Sequence, residues 1–161
     1  MTKDSPFTLD DLAKKPVEHY LGYHTKDTME YSFDQAESFT LVTSNAKEAD
    51  DVSCWSDSSR NGFIWVIEGR KVGSRRKYYL REVFRPTSKA ERLEGYFVGN
   101  KKKFDYLLEG EGVEFGDEFL LNDLPWFADF KKQNGSFGFG LRLLRDERIK
   151  TEFLRMASQF F

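Results

Sequence analysis

FIWVIEGRKVGSRRKYYLREVF, residues 63–84, holds two runs rich in β-branched and aromatic residues, FIWVIE (63–68) and KYYLREVF (77–84). Such residues suit a pleated, half-buried surface, so each run predicts a strand. The segment between them, residues 69–76, reads as a loop too long and too basic for a two-residue hairpin. Upstream, SFTLVTS (38–44) predicts another strand, leading into a polar, acidic stretch at 46–51 suited to a short helix or turn. Downstream, residues 93–98 and 104–109 predict two more, joined through Gly99, Asn100 and the triple lysine Lys101, Lys102 and Lys103. Together these strands predict a strongly curved antiparallel sheet.

Helical signals flank the strands. Thr8 with Asp11 three residues on is a weakened capping box, and Leu9, Leu12, Val17, Tyr20 and Leu21 follow at helical spacing. They predict one or two short helices over residues 7–23, the second opened by Pro16. Asn122-Asp123-Leu124-Pro125 supplies cap and first-turn chemistry for a helix over 125–133 that Asn134-Gly135 ends, and a last helix is expected over 146–158. Between them SFGFGLRLL (136–144) alternates Phe137, Phe139 and Leu141 with Gly138 and Gly140 in a strand-like period. The expected fold class is α+β, a curved or closed antiparallel β-barrel flanked by helices.

With 161 residues, 39% of them hydrophobic and sixteen Phe, the chain fits one domain, residues 1–161, and carries too much apolar material for disorder. No window approaches the roughly 18 apolar residues of a membrane span. Residues 1–11 lack a basic and an apolar region, so secretion and membrane insertion are not expected. The single cysteine, Cys54, excludes an internal disulfide and a cysteine zinc cluster, in keeping with a reducing cytoplasm. Only His19 and His24 are available as histidine bases or ligands, and no phosphate-binding loop, paired-histidine motif or nucleophile elbow is present. The expectation is a protein that is not an enzyme, with no metal and no cofactor.

Charge is segregated along the chain. Residues 70–103 carry twelve Lys/Arg against three acids, +9 in a chain whose total is −2, which leaves −11 elsewhere. Arg70, Lys71, Arg75, Arg76, Lys77, Lys101, Lys102 and Lys103, interleaved with Tyr78, Tyr79, Phe84, Tyr96 and Phe97, form the mixture a nucleic-acid surface uses for phosphates and packing. The alternative is that these are solvated outer faces of strands, the acidic remainder being the working surface of a protein-interaction or immunity-type module. A second constellation is Ser53 through Asn61, where Trp55 stands among hydroxyls and Asp57 in a short polar loop. An aromatic face with polar groups around it can bind a flat polar ring.

The order of a strand ending in Ser44-Asn45, a short acidic helix, the Trp55-Ser56 pair and two further strands resembles the PUA-like superfamily, in particular the YTH and EVE modules that read modified bases. The likeness covers residues 39–84. The closing Leu124-Pro125-Trp126-Phe127 and Asn134-Gly135-Ser136-Phe137-Gly138-Phe139-Gly140 are similar to the last helix-strand unit of modules found beside nucleases in modification-dependent restriction. The resemblance implies that Ser44, Asn45, Trp55 and Ser56 line a pocket for a methylated or flipped base. Asp57 would help to read the ring edge, and Trp126 would complete the cage if the fold brings it near. It further implies a DNA-binding reader, DNA ahead of RNA, that recognises without breaking bonds, with any nuclease on a partner or another segment.

Overall fold

The computed structural model describes residues 5–14, 17–25, 33, 37–53, 62–94, 97–98, 101–102, 104–137 and 140–161, with backbone alone at 97–98, 101–102 and 136. Its central strand is β3, Phe63–Val72, buried from Phe63 to Gly69. Successive side chains alternate between two apolar layers. Trp65 and Ile67 enter the larger layer with Leu80, Val83 and Phe115, while Ile64 and Val66 enter a smaller one with Phe84, Leu41 and Leu108. The larger layer is covered by the two C-terminal helices through Phe127, Phe130, Ile149 and Phe153, and the smaller by Ala49 and Val52 of the early helix.

The N-terminal helix α1, Leu9–Ala13, opens on the capping box expected of Thr8 and Asp11: Asp11 N–H donates to Thr8 Oγ1 at 3.1 Å and Thr8 N–H to Asp11 Oδ2 at 2.8 Å. The second helix expected before Tyr23 is instead strand β1, His19–Thr25, parallel to β3 in a register running from His19↔Phe63 to Thr25↔Gly69. Six of its seven residues are buried, so apolar spacing no longer reports one helical face and the β-forming Tyr20, Tyr23 and Thr25 prevail. Pro16 lies outside the described residues. Strand β2, Thr40–Thr43, and helix α2, Ala46–Val52, follow as the sequence predicts and form part of the crossover from β1 to the parallel β3.

The loop expected at 69–76 is not a loop. Strand β3 runs on to Val72 and β4, Arg75–Pro86, starts three residues later, so Gly73 and Ser74 alone make the turn. Gly73 has φ +62° and Ser74 has no positive φ, as a type II′ hairpin asks of its two positions. The ladder carries a bulge at Arg81: Val66 faces Glu82 and Ile67 faces Leu80.

Two-residue strands β5 (Glu91–Arg92), β6 (Phe97–Val98) and β7 (Lys101–Lys102) replace one of the longer strands expected there, with β6 and β7 pairing only with each other among the described residues. Strand β8, Tyr106–Glu114, is longer than expected and serves three neighbours. Residues 106–109 pair with β2, Tyr106 and Leu107 also with β5, and 110–114 with β4, which turns the sheet. A Cβ on Gly112 would stand 2.1 Å from the Val83 carbonyl oxygen, so only glycine lets β8 close on β4 there.

Helix α4, Glu147–Ala157, stands where the sequence puts it, capped by Asp146 accepting from the backbone of Arg148 and Ile149; helix α3, Phe127–Gln133, starts two residues later than expected and has no side-chain cap, because the Asn122 amide oxygen instead accepts from the Tyr78 N–H at 2.7 Å. The strand-like stretch 136–144 contributes only β9, Arg142–Leu143, against β1; Gly135–Phe137 is a 3₁₀ turn with Phe137 at φ +65°. The strand order is β2-β8-β4-β3-β1-β9. The fold is an α+β curled half-barrel with four described helices, and its sheet is mixed rather than antiparallel because β1 runs with β3. No helix of the described residues is long and apolar enough to cross a membrane.

Trp65 is the keystone of the larger layer. It is fully buried, 6.3 Å from the Phe115 ring and 5.3 Å from that of Phe153, and its indole N–H donates to His19 Nδ1 at 2.9 Å. Trp65→Ala is expected to cost about 3–5 kcal/mol of stability, read by urea unfolding.

Candidate functional site

Past Gly69 and Tyr78 the β3–β4 ladder runs on as a two-stranded ribbon. Its last rungs are Arg70↔Lys77, Lys71↔Arg76 and Val72↔Arg75, and no third strand pairs with them among the described residues. Residues opposite one another project to the same face, about 4.5–5.5 Å apart at Cα, so two successive rungs oppose like charges, an unfavourable arrangement in a sheet. Lys71 and Arg75 are exposed and Lys77 is half-buried. None of these three has an ion pair or side-chain hydrogen bond among the described residues. Arg76 is engaged with the Tyr23 hydroxyl.

Arg70, at the base of the ribbon, is held on two sides. Its Nη2 donates to Glu68 Oε1 at 2.8 Å and to Asp117 Oδ1 at 3.0 Å, its Nε to Glu68 Oε2 at 3.2 Å, and its guanidinium lies 4.6 Å from the Tyr79 ring centroid. Arg81 reaches the same carboxylates from the bulge, with Nη1 donating to Glu68 Oε1 at 3.2 Å and also to Asp117 Oδ1. Glu68 and Arg81 are only 4% and 6% exposed. Two cations and two anions thus form a neutral anchor, buried at Glu68 and Arg81 and open to solvent at Asp117, and the Arg70 hydrogen bond holds the Asp117 carboxyl below its usual range. Arg70, expected among the phosphate ligands, is committed to this anchor.

Below the anchor on the same face lies Glu82, 1% exposed and directly opposite Glu114 across the β4–β8 ladder. One oxygen accepts from the Phe39 N–H at 3.5 Å, and the other has no hydrogen-bond partner among the described residues. Phe39 supplies that N–H from φ +59°, unusual for a residue with a side chain. Burial pushes the Glu82 carboxyl up to about 8, against the Phe39 hydrogen bond, and the Glu114 charge adds to the rise. Phe33 closes this end, its ring 4.8 Å from the Arg81 guanidinium and edge-on to His24 at 5.5 Å. Glu68, Arg81, Glu82 and Asp117 were not singled out from the sequence. The available signal was three charged residues inside runs read as strands, Glu68 in FIWVIE and Arg81-Glu82 in KYYLREVF. Among the described residues no three His, Cys, Asp or Glu converge to hold a metal ion.

Of the residues expected to read a base, Ser44, Asn45 and Trp126 are among those described. Ser44 is exposed at the end of β2, and Asn45 begins α2 with its amide donating to the Leu141 carbonyl at 2.6 Å. Trp126 is 9% exposed and packs edge-on against Phe127, Phe130 and Phe153 in the larger layer, whereas Leu141 belongs to the smaller one. The structure therefore gives Trp126 to the core, away from the layer that Asn45 joins. Trp55, Ser56, Asp57 and Lys103 lie outside the described residues, as do the side chains of Lys101 and Lys102. No protein-family model matches this chain, and no curated protein matches it in sequence.

Two buried groups set opposite pH dependences. Glu82 keeps a proton that the unfolded chain releases near 4.5, so its contribution is full below that pH and is lost as pH rises toward about 8. Burial lowers the His19 imidazole to about 4, against a hydrogen bond with the Leu12 backbone, so its contribution is present above 6.5 and lost as pH falls toward 4. The two offset each other between 4.5 and 6.5, where stability should be flat. Above 6.5 it should decline by roughly 2 kcal/mol on the way to pH 8. Glu82→Gln should abolish the alkaline decline and leave the acid one, measured by urea unfolding across pH; an unchanged alkaline slope would show that Glu82 is not its source.

Proposed function

We propose that this chain is a nucleic-acid-binding module whose β3–β4 ribbon engages phosphates. The observation that supports this reading most directly is the ribbon itself: five of the eight residues from Arg70 to Lys77 are cationic and none is acidic. Like charges oppose across two rungs, and Lys71, Arg75 and Lys77 have no partner among the described residues. Opposed Cα atoms of a rung lie about 5 Å apart, so the like charges of Lys71 and Arg76 repel one another. A polyanion laid along the ribbon removes that repulsion and releases its own counterions, a favourable term at moderate salt. The anchor of Glu68, Arg70, Arg81 and Asp117 holds the ribbon in position, which lowers the entropy lost on binding.

The proposal extends to recognition of a modified or extruded base, with the exposed Ser44 and with Trp55, Ser56 and Asp57 as the reading residues. DNA is preferred to RNA, and cleavage belongs to a partner or to another segment. Asn45, beside Ser44, has its amide donating to the Leu141 carbonyl.

The test is fluorescence anisotropy of labelled oligonucleotides, single- and double-stranded, at two salt concentrations, with wild type and the Lys71→Ala, Arg75→Ala, Lys77→Ala triple variant. The wild type should bind with a steep salt dependence. In the triple variant each lost phosphate contact should lower the slope of log K against log salt by about 0.9 on duplex DNA. Its melting temperature should stay level or rise, since only mutual repulsion has been removed. Equal binding and an equal salt slope in the two proteins would overturn the reading.

A further inference from the structure

The ribbon is charged on both of its faces. Arg70, Val72, Arg75 and Lys77 project from one face, and Lys71 and Arg76 from the other, because alternate residues of each strand and opposed residues across the ladder share a side. A flat anionic surface would be met by one face alone. Cations on two faces of a thin ribbon suit a ligand that surrounds it, with phosphates on two walls.

The tip has its own character. Val72 is 47% exposed, the large hydrophobic left most open among the described residues, and it occupies the last rung before the Gly73–Ser74 turn. An apolar side chain and a hydroxyl thus stand at the tip, with Arg75 beside Val72 on the last rung and the other cations behind. The ribbon offers no ring for stacking unpaired bases. Tyr78, just behind it, is 6% exposed in the core, and Tyr79 lies under the Arg70 guanidinium. Two strands about 4.8 Å apart with their side chains span roughly 10 Å. The major groove of B-form DNA, about 12 Å wide, admits such a ribbon; the minor groove, about 6 Å wide, does not. In an A-form RNA duplex the major groove is deep and narrow.

Resting on the nucleic-acid reading above, we infer that the β3–β4 ribbon enters the major groove of double-stranded DNA. Lys71, Arg75 and Lys77 meet the phosphates of the two walls, and Val72 and Ser74 meet base edges on the groove floor. The apolar group presented there is the thymine methyl, which a valine can contact and which uracil lacks.

The experiment is equilibrium competition with the full chain. The ligands are one DNA duplex, its two separated strands, the RNA duplex of the same sequence, and the DNA duplex with deoxyuridine in place of thymidine. The DNA duplex should bind on the order of tenfold tighter than either separated strand or the RNA duplex. Wild type should lose about fourfold in affinity for each methyl contacted when thymidine is replaced, and exposed Val72→Ser should bind the two DNA duplexes equally. Single strands or RNA duplex bound as tightly as duplex DNA, or no effect of the methyl on wild type, would overturn the groove inference while leaving nucleic-acid binding intact. No binding to any of the four would overturn the proposed function as well.

Discussion

The antiparallel ladder between β3 and β4 is the constraint from which the rest of this molecule follows. Over its first half β3 is buried on both faces, which places it in the middle of the sheet and creates two apolar layers at once. Helices α3 and α4 can cover one layer and α2 the other only because Trp65 and Ile67 point one way and Ile64 and Val66 the other. The same hydrogen-bonded ladder then leaves the sheet as the basic ribbon. The ribbon's direction is thus set by the core, and the Arg70 ion pairs at its base give this surface element a rigid mount.

Where the ladder passes from the buried interior to solvent, charge has to be handled with care. Removing ions from water costs several kcal/mol each unless they are paired and hydrogen-bonded. Glu68 and Arg81 meet that condition by sharing partners with Arg70 and Asp117, and the bulge at Arg81 is what aims its side chain at both carboxylates. Glu82, on the same face, meets it differently: with Glu114 opposite and one weak donor, it is more stable holding a proton. A few residues further on, Lys71, Arg75 and Lys77 need no such compensation because water solvates them. Residues of one charge type therefore play unlike parts, and neighbours decide which.

Elements whose causes lie within a few residues were legible. The capping box of Thr8 and Asp11 and the Asn134-Gly135 stop each act over a single helical turn, and α1 begins and α3 ends where those signals stand. Strand β1 was not legible, since HYLGYHT is apolar on nearly every position and its periodicity is consistent with either structure until β3 is beside it. The hairpin was misread for an electrostatic reason. Side chains that repel argue for a loop, yet backbone hydrogen bonds continue the ladder to Val72 and Arg75, and a glycine at positive φ is enough to turn it. Trp126 looked available in sequence; the aromatic side chains of α3 and α4 enclose it.

By itself the sequence determined the capping box of α1, the stop of α3, the runs that form β2, β3, β4 and β8, the lack of a cysteine pair and the concentration of positive charge between residues 70 and 103. These are matters of composition and of neighbours along the chain, where the relevant hydrogen bonds and charges act within a turn or two. Only the tertiary structure decided that β1 runs parallel to β3, that Arg70 is an anchor rather than an open cation, and that Glu82 is buried opposite Glu114. Those outcomes depend on register and burial, which arise from contacts between residues far apart in sequence. Their energies become favourable only together, once the sheet has closed on both of its layers.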